Sequence, residues 1–258
     1  METTNPLKPE WLAIRALRFL VAWVFMATFW IVVLTIHLLL LKRTSPLFMM
    51  HLIRFWGRTT FKILGVPVHV VNTSTLDEVG ARVVVCNHQS ALDLPWGGVI
   101  CPPNPVTIGK KEVIWIPILN LLFWALDFIR IDRSNPARAI ATLKGVAERI
   151  RKGRRSLVVA PEGTRSPDGA LLPFKKGAFH IAIEGGLPIH PVVVHGAFEV
   201  LPKNRLLPSR GPIYIQFLEP ISTQGLPLAE VTSLTKRVED QIRTTLHQLR
   251  LKYPLKLP

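Results

Sequence analysis

The chain has 258 residues, 48% of them hydrophobic and 19% charged, a balance that excludes a disordered or fully solvated polypeptide and suits one domain with an appendage better than two catalytic domains. Its formal net charge of +15 points to polyanionic surroundings, either nucleic acid or an anionic bilayer, and the hydrophobic fraction favours lipid. Cys86 and Cys101, the two cysteines, form no CxxC pair and join no histidine cluster, so neither a disulfide framework nor a zinc site is signalled and a reducing cytoplasmic setting fits.

Residues 19–41 carry no formal charge and are long enough to cross a hydrocarbon layer roughly 30 Å thick. The run is too long for a cleaved signal peptide, and it leads into Lys42 and Arg43 without a small-residue cleavage site. Basic residues after it (Lys42, Arg43, Arg54, Arg58, Lys62) outnumber those before it (Lys8, Arg15, Arg18), which sets the C-terminal side as cytoplasmic; a hairpin within one leaflet is the alternative. In residues 47–64, Arg54, Arg58 and Lys62 recur every four positions, the pattern of a helix lying on an anionic membrane surface. Residues 1–65 are therefore expected to be membrane-anchoring helices and residues 66–258 the catalytic domain.

Past Gly65 and Pro67, short runs rich in β-branched residues at 68–71, 82–86, 157–160, 189–194 and 213–218 predict strands. Helices are predicted between them at 114–126, 136–151 and 174–184, the last stopped by Gly185 and Gly186. A final helix is predicted from Leu228, Val231, Leu234, Val238, Ile242 and Leu246. Strands alternating with helices indicate an α/β sheet. The intervening 201–212 segment, with three prolines and three basic residues, reads as a solvated loop, with a substrate-side flap as the alternative.

The 82–86 strand ends in Asn87-His88-Gln89-Ser90-Ala91-Leu92-Asp93, at a strand terminus of the kind where α/β folds gather their ligands. A spacing of five separates two residues by about 140° on a helix, so His88 and Asp93 can pair only across a turn, and Ser90 with Asp93 three positions on resembles a capping box that starts the helix after that turn. An imidazole can take a hydroxyl proton near neutrality while a carboxylate fixes its tautomer, which is the machinery of alcohol acylation. The 157–160 strand likewise runs into Pro161-Glu162-Gly163-Thr164-Arg165-Ser166, where a glycine allows close backbone approach, Arg165 offers a planar fork for phosphate, and Glu162 is available to accept from a hydroxyl or to orient the arginine. Lys110, Lys111, Arg130 and Arg133 supply further cations.

Asn87 to Asp93 resembles the NHxxxxD block, and Pro161 to Ser166 the PEGTRS block, of the PlsC-like glycerolipid acyltransferases, the 1-acylglycerol-3-phosphate (lysophosphatidic acid) acyltransferase family. The similarity continues through Gly109-Lys-Lys-Glu112, Ile131-Asp-Arg133, Leu172-Pro-Phe-Lys-Lys-Gly-Ala-Phe-His180 and Leu187-Pro-Ile-His-Pro191, over residues 80–195; Arg130 departs from the aromatic or aliphatic residue usual in the family's second block. The resemblance implies an α/β fold, a mixed sheet flanked by helices. It further implies direct transfer of an acyl group from acyl-CoA or acyl carrier protein to the sn-2 hydroxyl of lysophosphatidic acid, giving phosphatidic acid. By the same resemblance His88 is the general base and Asp93 its partner; Glu162, Gly163, Thr164 and Arg165 form the acceptor site, and Lys110 and Arg133 contact phosphate. Neither a metal nor an organic cofactor is expected, because a thioester is already activated. Membrane phospholipid is an expected partner, and the expected location is a bacterial inner membrane with the catalytic domain on its cytoplasmic side.

Another lysolipid acceptor, such as lyso-ornithine lipid, is the alternative within the family. A membrane-associated nucleic-acid-binding protein is the alternative outside it, resting on the charge and on Arg149, Arg151, Lys152, Arg154 and Arg155, but no nucleic-acid motif accompanies these residues and no nucleic-acid partner is expected. A serine lipid hydrolase would need a GxSxG elbow, which the chain lacks.

Overall fold

The computed structural model describes residues 9–39, 45–72, 80–110, 112, 115, 120, 128–131, 142 and 145–255. Its centre is a seven-stranded sheet of β1 (Val68–Val71), β2 (Arg82–Cys86), β3 (Pro105–Lys110), β4 (Ile129–Ile131), β5 (Ser156–Val159), β6 (Ile189–His195) and β7 (Ile213–Phe217), in the order β1-β7-β6-β2-β5-β3-β4. Every pairing is parallel except β6 with β7, so the sheet is mixed, as the sequence resemblance implied. The central strands β2 (RVVVC) and β6 (IHPVVVH) are buried along their whole length and each carries three consecutive valines, whereas β7 (IYIQF) alternates.

The pleat divides β2 between two helical layers. Val83 and Val85 face a core closed by α4 (Val146–Lys152), α5 (Gly177–Gly185) and α7 (Val231–Lys252), while Val84 and Cys86 face one closed by α2 (Pro46–Leu64), α3 (Asp93–Val99) and α6 (Ala197–Val200). α7 commits Val231, Leu234, Val238, Ile242, Leu246 and Leu249 to the first core; Leu228 lies outside it, in a 3₁₀ turn, and is exposed. α5 stops where Gly185 and Gly186 predicted, with Gly186 in the left-handed region, but it starts three residues later than expected. The amides of Phe174 and Lys175 are spent on Glu239 and on the carbonyl of Pro161. Of the predicted 114–126 helix only residues 115 and 120 are described, and of residues 136–144 in the predicted 136–151 helix only residue 142; the rest lies outside the described residues.

α1 (Pro9–Leu39) contains one stretch, Leu12–Ile36, long and apolar enough to cross a membrane, starting earlier than the predicted run because Arg15 and Arg18 are part of the helix. It packs along α2 through Trp30 against Trp56, with ring centroids 5.4 Å apart, and through Val33 beside Met49, Met50 and Cys101. The shared basic face expected on α2 is not formed. Arg54 is 8% exposed and its Nε donates to the carbonyl of Cys101 at 2.9 Å, whereas Arg58 and Lys62 are exposed. A repeat of four drifts by about 40° per step on a helix, so the row turns from protein to surface over its length.

Candidate active site

The sheet order explains how residues far apart in sequence reach one edge. Strands β2, β5, β3 and β4 run parallel and adjacent, so their C-terminal ends share one side of the sheet, the side on which open α/β folds bind ligands. His88 follows β2, Glu162 to Arg165 follow β5, and Lys110 closes β3 in register with Ile131 of β4. At about 4.8 Å per strand this row extends roughly 14 Å from β2 to β4. The Lys110 side chain and the whole of Arg133 lie outside the described residues, so the structure carries those two only as far as the strand ends leading to them.

Asn87 fixes the start of the loop. Its side-chain amide donates to the carbonyl of Val194 and accepts from the Val194 amide, both at 2.8 Å, which ties the end of β2 to β6. The next turn brings His88 and Asp93 together, with Nδ1 of the imidazole 2.5 Å from Oδ2 of the carboxylate. A carboxylate only accepts, so Nδ1 is the donor, which in the neutral ring leaves Nε2 with the lone pair. The same Oδ2 accepts the amides of Gln89 (2.9 Å) and Ser90 (3.1 Å), and Oδ1 accepts the indole Nε1 of Trp96 at 2.7 Å. The Ser90 amide bond is the returning half of the predicted capping box. The other half is altered, because Ser90 Oγ accepts the Leu92 amide at 3.1 Å and donates to the carbonyl of Leu201 at 2.7 Å. The His88 side chain is 31% exposed and that of Asp93 11%, so the imidazole is reachable and its partner is shielded.

Glu162 lies beneath this pair, 3% exposed. Its carboxylate accepts the His88 amide at 2.6 Å and the Leu172 amide at 2.9 Å, so it clamps the main chain of the loop and forms no hydrogen bond or ion pair with Arg165. Burial pushes its carboxyl up to about 7, against the pull of those two amides. A return bond from the Ser166 amide to the His88 carbonyl (2.9 Å) closes the seam between the two motifs. Gly163 sits at φ 72°, and a Cβ there would lie 2.6 Å from Nζ of Lys175. Thr164 is exposed and Arg165 half-buried at the same turn.

The structure thus brings His88, Asp93, Glu162, Gly163, Thr164 and Arg165 into one seam. Sequence reasoning missed the anchoring bonds of Asn87, the donor of Trp96 and the position of Lys175. Trp96, three residues after Asp93 at a helix start, carried a usable signal; Lys175 carried none, because its place depends on the Pro161 carbonyl binding its amide. Among the described residues no cluster of His, Cys, Asp and Glu suited to a metal ion occurs.

Residues 67–195, half of the chain, match the family model described as Acyltransferase. The chain is 42% identical over 167 residues to the 1-acyl-sn-glycerol-3-phosphate acyltransferase of Cocos nucifera, covering 65% of this chain and 54% of that one. It is 37% identical over 172 residues to the enzyme of the same name from Salmonella typhimurium, covering 67% and 69%. It spans 54% to 65% of the length of the plant relatives that it matches. Its structure is similar to the crystal structure of the 1-acyl-sn-glycerophosphate (LPA) acyltransferase PlsC from Thermotoga maritima, with a TM-score of 0.77 at 25% identity over 92% of this chain and 97% of that one.

Proposed function

The chain belongs to the acyltransferase family, and from that premise we propose that it transfers a fatty acyl group from a thioester, acyl-CoA or acyl-acyl carrier protein, to the sn-2 hydroxyl of 1-acyl-sn-glycerol-3-phosphate. The observation that carries the reading is the 2.5 Å contact between His88 Nδ1 and Asp93 Oδ2 at the end of a central parallel strand. In the proposed step, His88 Nε2 takes the proton of the acceptor hydroxyl as its oxygen attacks the thioester carbonyl. The carbon–sulfur bond breaks as the ester forms, and the imidazolium, stabilised by Asp93, returns the proton to the departing thiolate. A direct transfer of this kind needs no acyl-enzyme, and the activated thioester removes the need for a metal or an organic cofactor.

Arg165, Thr164 and the turn at Gly163, with Lys110 and Arg133 further along the row, are assigned to the acceptor and its phosphate. A guanidinium fork and neighbouring cations suit a phosphate monoester, and the +15 charge favours anionic substrates. Glu162 is assigned to holding the His88 main chain, because a buried carboxylate bonded to two amides has little left to offer a substrate. The names of the Cocos nucifera and Salmonella typhimurium relatives support lysophosphatidic acid as the acceptor. The apolar stretch Leu12–Ile36 supports action at a membrane.

The test is to incubate the purified chain, and its His88→Ala variant, with lysophosphatidic acid and either mixed acyl-CoA species or acyl carrier protein, following product by mass spectrometry. Phosphatidic acid from the parent alone is expected. Product only with a phosphate-free lysolipid would replace the acceptor, and equal product from a folded variant would overturn the base.

A further inference from the structure

The 202–211 loop has no regular secondary structure, yet both of its flanks are tied down. At its root, the Ser90 hydroxyl donates to the carbonyl of Leu201 at 2.7 Å, and the amide of the same Ser90 donates to Asp93. The loop is closed on itself by the Ser209 amide on the Val200 carbonyl (2.6 Å) and the Arg205 amide on the Pro202 carbonyl (3.1 Å). Its far side is gripped by Arg15 of α1, whose Nε donates to the carbonyl of Pro208 at 2.7 Å and whose Nη2 reaches the carbonyl of Leu207 at 3.1 Å and Oγ of Ser209 at 3.4 Å.

That grip fixes where the loop stands. Arg15 lies three residues into the apolar stretch Leu12–Ile36, and a guanidinium is costly in hydrocarbon, so this end of α1 belongs at the level of the lipid headgroups. The loop bonded to it stands at the same level. There it presents Lys203, Arg205 and Arg210, all exposed, around Leu206, which is 83% exposed. Arg205 and Arg210 act on Arg15 as like charges, and Lys203 and Arg205 form no ion pair among the described residues. A projecting leucine flanked by basic side chains is complementary to a surface that is apolar within and anionic at its rim.

We propose that the 202–211 loop is a second membrane contact, separate from the apolar helix, in which Lys203, Arg205 and Arg210 bind phosphates of anionic lipid headgroups while Leu206 enters the acyl boundary. Through Leu201 and Ser90 the contact holds the bilayer surface beside the His88–Asp93 pair, where a membrane-resident acceptor would arrive. The inference concerns the surface, so it stands or falls apart from the acyl-transfer reading.

The experiment places an environment-sensitive NBD fluorophore on Leu206→Cys in the full chain, the native Cys86 and Cys101 being buried, and reconstitutes it in nanodiscs. With phosphatidylglycerol in the disc, blue-shifted emission quenched by doxyl-labelled lipid is expected; with phosphatidylcholine alone, or at high salt, the probe should report water. Each basic residue near an anionic surface strengthens association roughly fivefold, so Lys203→Gln with Arg205→Gln should move the inserted fraction about 25-fold toward water. Equal emission in both discs and in detergent would overturn the proposal, as would an undiminished shift in the double variant. A shift produced by inorganic phosphate in detergent would also overturn it, since that is a free-anion site. Phosphatidic acid formation in the same discs is read separately and is expected to persist in the double variant.

Discussion

Asp93 accepts four hydrogen bonds, from the His88 ring, two main-chain amides and the Trp96 indole, and each holds its charge in one direction. Asp93→Asn keeps the shape but places an amide donor where donors already converge, so the imidazole loses its tautomer; kcat should fall on the order of 10²- to 10⁴-fold at nearly unchanged KM. Trp96→Phe keeps the ring in its buried place and deletes one bond to a charged group, for which roughly 1.5–3 kcal/mol is typical, so kcat should fall on the order of 10- to 100-fold. An unchanged kcat in that variant would show that the indole only fills space. Glu162 gives a pH prediction. Its carboxyl is raised from 4.5 to about 7, so its contribution to stability is present below about 4.5 and lost as pH rises through about 7, on the order of 3 kcal/mol in all. His190 runs the other way: burial and the nearby Arg82 push it down to about 4, so its contribution is present above about 6.5 and lost as pH falls. The two offset between those limits, and Glu162→Gln should expose the His190 slope, with melting temperature rising from pH 4 to 6.5. The pairing of His88 with Asp93 was legible because five residues and a capping signal specify a tight turn locally. The clamp of Glu162 was not, because its amide donors come from Leu172 and His88, 10 and 74 positions away.

At the scale of elements, the contact that holds α3, and so Asp93, is its crossing with α2. A Cβ on Gly57 would stand 2.6 Å from the carbonyl oxygen of Pro95 and from the amide nitrogen of Val99, and one on Gly98 would stand 2.9 Å from the Trp56 ring. Gly57→Ala must therefore push the helices apart, costing about 1–3 kcal/mol. The expected result is a melting temperature lowered by roughly 2–4 °C per kcal/mol, with kcat reduced by displacement of Asp93. Loss of stability with full kcat per folded molecule would show that α2 supports the fold without aligning the pair. The strands read correctly carry β-branched runs, either buried throughout, as in Arg82–Cys86 and Ile189–His195, or alternating, as in Val68–Val71 and Ile213–Phe217. β3 (PVTIGK) opens with proline and contains glycine, both turn signals, and β4 is three residues with Arg130 at its middle. Only pairing with β5 and with each other makes them strands, and that pairing lines Lys110 up with the site.

For the whole molecule, the question is how a 31-residue apolar helix meets a domain proposed to act on lipid. Arg15 bonds the 202–211 loop, while Trp30 packs on α2 beside Cys101, and 15 residues of helix separate those contacts by about 22 Å. A helix crossing a hydrocarbon layer roughly 30 Å thick would leave the domain at one end; α1 is held at both. It therefore lies along the molecule with Leu17, Leu20, Val24 and Ile31 exposed beside Phe48 and Phe55 of α2, and the expectation is that this face rests in one leaflet. The sequence shows the length of such a run but not its tethers, because Arg15 and Pro208 are 193 positions apart. In sealed vesicles, Thr4→Cys and Leu251→Cys, the latter on the exposed side of α7, should then react with a membrane-impermeant maleimide to the same fraction before detergent is added. If Leu251→Cys reacts and Thr4→Cys is protected until detergent opens the vesicle, the N-terminus lies across the membrane, and α1 must release the 202–211 loop when it inserts.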